Sequence, residues 1–139
     1  MRAKLFCTSL LFIGMAVTIA CGGGDGGRGT GPQPPSASGT WLGNAVTDWG
    51  ADRWMTLTLQ ETDQAISGSC AITVAIGEPP YWTGTVSGSH VHPDISLTIT
   101  EPGFAPLSLV GSLANANTFN VTLSGTAGWT NTQVTFRRQ

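Results

Sequence analysis

The sequence predicts an all-β domain: about eight short antiparallel strands in an up-and-down meander that closes into a small barrel. Three observations lead there. From Gly39 onward, apolar residues recur at every second position, the period of a strand with one buried face. No stretch after residue 38 shows helical spacing. Clusters of Gly, Pro, Asn, Asp and Ser interrupt the apolar runs at hairpin intervals.

The strands follow in order. The first begins near residue 40 and places Trp41, Gly43 and Ala45 on one face. The second, from about residue 53, alternates Met55, Leu57 and Leu59 with Trp54, Thr56 and Thr58. The third begins near 64, with Ile66, Gly68, Cys70, Ile72 and Val74 on its apolar face. The fourth, from 81, sets Trp82, Gly84 and Val86 against Tyr81, Thr83 and Thr85. The fifth, from 90, carries Ile95, Leu97 and Ile99, and a sixth begins near 106. The seventh, from 118, buries Phe119, Val121 and Leu123, and the eighth, from 132, buries Val134 and Phe136. Turns are expected at 48–52, 61–63, 77–80, 87–89, 101–103 and 114–117. A meander of this kind loses its free edges by closing on itself.

Three segments precede or make up this domain: residues 1–20, 21–38 and 39–139. The first has Arg2 and Lys4 before an apolar run from Leu5 to Ala20, the layout of an export signal. The second, with Gly22-Gly23-Gly24, Gly26-Gly27, Pro32, Pro34 and Pro35, has the composition of a flexible tether. The third, of about 100 residues, is large enough to bury a core of its own. Past Cys21 there is no lysine, and four arginines against eight acids leave a net charge of −4. A nucleic-acid partner needs a basic stripe, and none is present. Cys7 lies in the export signal and Cys21 at its end, so Cys70 has no intrachain disulfide partner.

Thr18-Ile19-Ala20-Cys21 resembles the bacterial lipobox, with Thr18 where leucine is commonest. The resemblance implies removal of residues 1–20, a diacylglyceryl group on the Cys21 thiol and palmitate-type acylation. The chain is then expected to be exported and anchored by that lipid to the cell envelope. Gly22 after the cysteine implies sorting to an outer membrane in an organism with two membranes. A second resemblance lies at the ends of the domain. Gly39-Thr40-Trp41 opens the first strand and Arg137-Arg138 closes the last, and this is similar to the calycins: lipocalins, fatty-acid-binding proteins and avidins. In that family the tryptophan plugs one end of the barrel and a basic residue of the final strand packs across it. The resemblance therefore implies a plug of Gly39, Trp41 and Arg138. Parity agrees independently, because Arg138 falls on the face of Val134 and Phe136.

Other side chains are weighed singly. His90, His92 and Asp94 alternate at metal-ligand spacing, but on the polar face and around Pro93. A solvated turn is the plainer reading, and no metal is expected. Trp49, Trp54, Tyr81 and Trp129 fall in or near loops or on the outer face and form a candidate recognition surface, whereas Trp82 falls on the core face. Cys70 shares the apolar face and reads as an inert core thiol. Asp48, Asp52 and Asp94 are acids with nothing to set their separation, and no Gly-x-Ser-x-Gly elbow occurs. No enzyme activity and no cofactor are expected. The leading expectation is a non-enzymatic module that binds a small apolar or lipid-like ligand. The alternative is a solid barrel that uses its loop aromatics on a protein partner, as an interaction or inhibitor module. A membrane-spanning barrel is disfavoured, since its strands need about 9–11 residues each and most runs are shorter.

Overall fold

A computed structural model describes residues 31–125 and 128–139 of the chain. The expected export signal, Cys21 and the first part of the tether lie outside the described residues. One compact unit runs from Pro32 to Gln139. It therefore takes in residues 32–38, which the composition alone groups with the tether.

Eight antiparallel strands form it: β1 (Gly39–Val46), β2 (Asp52–Thr62), β3 (Ala65–Thr73), β4 (Trp82–Val91), β5 (Asp94–Thr100), β6 (Leu107–Asn115), β7 (Thr118–Gly125) and β8 (Trp129–Arg138). Each pairs with its neighbour in sequence, and β1 pairs with β8 to close the barrel. The closing seam sets Trp41 opposite Arg138, Leu42 opposite Arg137 and Gly43 opposite Phe136. The predicted fold class is the observed one.

The inward face carries the apolar half of each alternating run, including Trp41, Met55, Leu57, Ile72, Ile99, Leu109, Phe119 and Phe136, all essentially without solvent exposure. Phe119 stacks on Phe136 at 4.8 Å between ring centroids and meets Trp41 edge-on at 4.7 Å. Such pairs add about 0.5–1.5 kcal/mol each beyond the area they bury.

Two local features differ from the alternation read along the chain. Ser87-Gly88-Ser89 is not a turn: β4 continues through it to Val91, and the chain reverses at His92-Pro93. Gly88 is instead a place of close approach, because a Cβ there would stand 2.1 Å from the Ser96 carbonyl oxygen. As a result β5 begins at Asp94 rather than near 90, and His90 pairs with Ile95 at the end of β4. The second feature is in β8. Leu123 pairs with Thr132 and Gly125 with Trp129, so β8 holds one extra residue there, with Asn131 at φ 54°. That bulge starts the strand three residues before the expected position and turns Trp129 inward.

The two ends of the barrel are unlike. At one end the connections are two-residue turns at 63–64, 92–93 and 116–117, and both chain termini of the barrel are there. At the other end the described connections are the longer segments 47–51, 74–81 and 101–106.

Strand curvature depends on glycine at positions where strands come within contact of one another. A Cβ on Gly111 would fall 1.9 Å from the Asn120 carbonyl oxygen and 2.6 Å from the Val121 Cα, both backbone atoms of β7. Gly111→Ala must therefore force β6 and β7 apart, and a cost of about 1–3 kcal/mol is expected. Urea unfolding of the variant measures it, and an unchanged midpoint would contradict the packing described.

Candidate functional site

The end with short turns is sealed. The Arg138 guanidinium carbon stands 4.3 Å from the Trp41 ring centroid. The same guanidinium donates hydrogen bonds to the carbonyl oxygens of Ala116 (2.7 Å), Ser36 (2.8 Å) and Ser38. Trp41 Nε1 donates to the Ala37 carbonyl at 2.8 Å, so the indole is held from both sides. Gly39, at φ 134°, has no room for a side chain, since a Cβ would collide with the Arg138 guanidinium. Gly39, Trp41 and Arg138 thus meet in one plug, with Ser36–Ser38 as part of it.

Beside the plug lies a polar cleft of about 280 Å³, lined by Gln33, Ser36, Glu61, Asp63, His90 and His92 among others. Its centre is the Glu61 carboxylate. This accepts hydrogen bonds from Ala37 N (2.7 Å) and Ser36 Oγ (2.9 Å), and its other oxygen lies 2.9 Å from His90 Nδ1. Burial alone pushes the Glu61 carboxyl up, but the hydrogen bonds from Ala37, Ser36 and His90 outweigh it and hold the group below its ordinary value. His90 is buried, with 3% exposure, and its Nε2 has no partner among the described residues.

This corrects the expected placement of His90 on the polar outer face. The turn at 92–93 reverses the parity, so His90 points inward while His92 and Asp94 are exposed. The rings of His90 and His92 lie 5.8 Å apart and edge-on. No group of three or more His, Cys, Asp or Glu side chains suited to a metal gathers among the described residues, so His90, His92 and Asp94 do not converge. Cys70 lies in the core, and burial pushes its thiol up to about 12, far from the thiolate that a nucleophile needs.

The opposite end is open and apolar. A hollow of about 220 Å³ is walled by Trp49, Ile72, Tyr81, Trp82, Phe104, Leu107 and Trp129, with Thr47 and Arg53 at its edge. Three of the four aromatic residues singled out in the sequence, Trp49, Tyr81 and Trp129, meet here. Trp54 does not: it is half-buried and lies in β2 on the face opposite Met55, opposite Asn44 and Thr73. Trp129 departs from its expected loop or outer-face position, being 3% exposed, because the bulge at Asn131 swings it inward. Its Nε1 is buried without a partner. Phe104, Leu107 and Ile72 were not singled out. Phe104 lies in a loop without alternation, and the other two look like ordinary core residues until the barrel places them at its mouth.

Around the hollow, the end of β1 and the loops expose large apolar side chains: Val46, Trp49 (65%), Val74, Ile76, Tyr81 and Phe104. Asp48 fixes one side of this rim by accepting hydrogen bonds from Thr130 N (3.0 Å) and Thr130 Oγ1 (2.8 Å). Opposite it, Arg53 Nε donates to the Tyr81 hydroxyl at 3.0 Å, and its guanidinium lies 5.4 Å from the Tyr81 ring centroid.

Fold and site together define an eight-stranded antiparallel barrel, plugged at one end and cupped at the other. No family model and no curated protein matches the chain. A solved structure that does is a de novo designed fluorescence-activating β-barrel, at 18% identity and a TM-score of 0.58. The match covers 73% of this chain and 93% of that one, and at this identity it supports the barrel fold alone.

The Glu61 cluster generates a pH expectation. A carboxyl held below its ordinary value when folded stabilises the fold above that value, and this contribution is lost as pH falls through the lowered one. Chemical unfolding followed below pH 4.5, the ordinary value for this group, is expected to show a loss of stability that Glu61→Gln reduces. Parallel acid profiles for the two proteins would remove Glu61 from the account.

Proposed function

We propose that the chain is a lipid-anchored protein of the cell envelope whose barrel holds a small apolar or lipid-like ligand in the cup at its open end. The observation that carries this reading is the apolar hollow walled by aromatic side chains and ringed by exposed apolar loops. Exposed apolar side chains gathered around a hollow are the kind of surface that binds a ligand or a partner. The hollow is smaller than the roughly 300–1,000 Å³ of pockets that enclose a drug-sized molecule. It therefore suits a short chain or a single ring system, with the remainder of the ligand outside.

Support for the rest of the reading comes from the sequence. Ile19-Ala20-Cys21 and the tether after it support lipid attachment, and Gly22 supports an outer membrane where there are two. The calycin-like plug of Trp41 and Arg138 supports ligand entry from the other end, and the designed barrel of similar fold is described as fluorescence-activating. The role is binding rather than catalysis: the cup is walled by carbon-rich side chains, and the Cys70 thiol is held protonated.

A second reading, a protein-interaction module, is favoured by the rim itself. Val74 and Ile76 are exposed beside the cup without lining it. The two readings separate by mutation. Val74→Ser with Ile76→Ser is expected to abolish capture of a protein partner and to leave retention of a small ligand unchanged.

Native mass spectrometry of the full chain carrying Cys21→Ser, prepared without detergent, tests the ligand reading. The expected result is an added mass, released on denaturation and identified as an apolar compound. Phe104→Ala, at an exposed position, should weaken its retention by about tenfold. A bare mass, with no change in tryptophan emission on adding apolar compounds, would count against the cup.

Lipid attachment is tested separately by fatty-acid labelling. The unaltered chain is expected to take up label and fractionate with membranes, and Cys21→Ser to do neither. Label on the Cys21→Ser chain would sink the anchor.

A further inference from the structure

The polar groups that wall the cup are hydrogen-bond donors. Trp129 is 3% exposed, and its Nε1–H is buried without a partner among the described residues. An indole has one N–H and no acceptor, so what this group lacks is an acceptor. A buried donor left unpaired costs free energy, and such groups are few in native proteins.

Arg53 stands at the edge of the same hollow. Its Nε donates to the Tyr81 hydroxyl at 3.0 Å and its Nη1 to the Asp52 carbonyl at 2.7 Å, which leaves Nη2 without a bond among the described residues. Its charge is uncancelled as well. The ion pair among the described residues joins His90 to Glu61 at the closed end, and no carboxylate lines the hollow. Asp48, next to Trp49 in sequence, spends both carboxylate oxygens on Thr130. The Tyr81 hydroxyl accepts from Arg53 and keeps its own proton to donate. The Thr47 hydroxyl is turned to the backbone, accepting from Ala51 N at 2.9 Å and donating to the Ala51 carbonyl at 3.2 Å.

Between these donors the wall is aromatic and aliphatic, made by Trp49, Ile72, Trp82, Phe104 and Leu107. Such a site is complementary to a molecule with an apolar body and one negatively charged, hydrogen-bond-accepting head. A guanidinium binds a carboxylate more strongly than a neutral acceptor, because charge assists the hydrogen bond. A volume of about 220 Å³ admits a single ring on a short arm rather than a long acyl chain.

We infer that the cup takes a small aromatic carboxylate, whose ring packs against the aromatic wall and whose oxygens accept from the Trp129 N–H and the Arg53 guanidinium. This rests on the reading of the cup as a small-ligand site and names the chemistry of its ligand. A neutral amide of the same shape binds more weakly, and an ammonium compound, which brings donors to donors, most weakly of all.

Three compounds of matched length test it on the full chain carrying Cys21→Ser: 3-phenylpropanoate, 3-phenylpropanamide and 3-phenylpropylammonium, each titrated calorimetrically. The carboxylate is expected to bind about tenfold more tightly than the amide. Arg53→Gln should bring it down to the affinity of the amide. Trp129→Phe, which keeps an aromatic ring and deletes the N–H, should weaken the carboxylate about tenfold. Should Trp129→Phe impair folding, Arg53→Gln alone must remove the carboxylate's lead. Equal binding of carboxylate and amide, tighter binding of the ammonium compound, or a lead that survives Arg53→Gln overturns the carboxylate site and leaves the cup as an apolar one. Failure of all three to bind removes the cup reading, and the selectivity with it.

Discussion

The guanidinium of Arg138 ties together parts of the chain that are far apart in sequence. It lies over the Trp41 ring and holds the carbonyls of Ser36, Ser38 and Ala116, so the first strand, the last strand, the segment before β1 and the β6–β7 turn meet on one group. A charged donor makes stronger hydrogen bonds than a neutral one. A meander has a single long-range pairing, that of first strand with last, and here it covers only three residue pairs. The plug reinforces that short seam at the end where it is made.

Sealing one end sets the use of the other. With two-residue turns, the Trp41–Phe119–Phe136 stack and the Glu61 cluster at the closed end, little room is left there for anything but side chains. Among the described residues, the long connections emerge at the opposite end, where backbone is not required to return at once into the next strand. Loop side chains there can be large, apolar and exposed without disturbing the ladder. The cup is the outcome: its floor comes from inward residues at the strand ends, such as Ile72 and Leu107, and its walls from loop aromatics.

The closed end also shows how far a polar group can go into this barrel. His90 occupies an inward position at the end of β4, where an aliphatic residue would be expected, and the Glu61 carboxylate beside it provides a partner. That carboxylate in turn holds Ser36 and Ala37, so the polar contact serves to dock the segment before β1 onto the barrel. Charge at the closed end thus serves structural pairing.

The amino-acid sequence by itself determined the strand number, the meander and the inward face, because period-two alternation and turn chemistry are local properties that each run carries within itself. The plug was legible through the resemblance of Gly39-Thr40-Trp41 and Arg137-Arg138 to the calycin ends, with which the parity of Trp41 and Arg138 agrees. The mouth was legible only in part. Trp49, Tyr81 and Trp129 could be singled out as aromatics near loops, but not Phe104, Leu107 and Ile72, whose common position exists only once the barrel closes. Tertiary structure alone decided the faces of His90 and Trp129. A turn displaced from 87–89 to 92–93 and one bulged residue at Asn131 each reverse the alternation, and both are set by how neighbouring strands must approach and curve. Alternation fixes which residues share a face within one strand. Which face looks inward near a strand's end depends on the strand beside it.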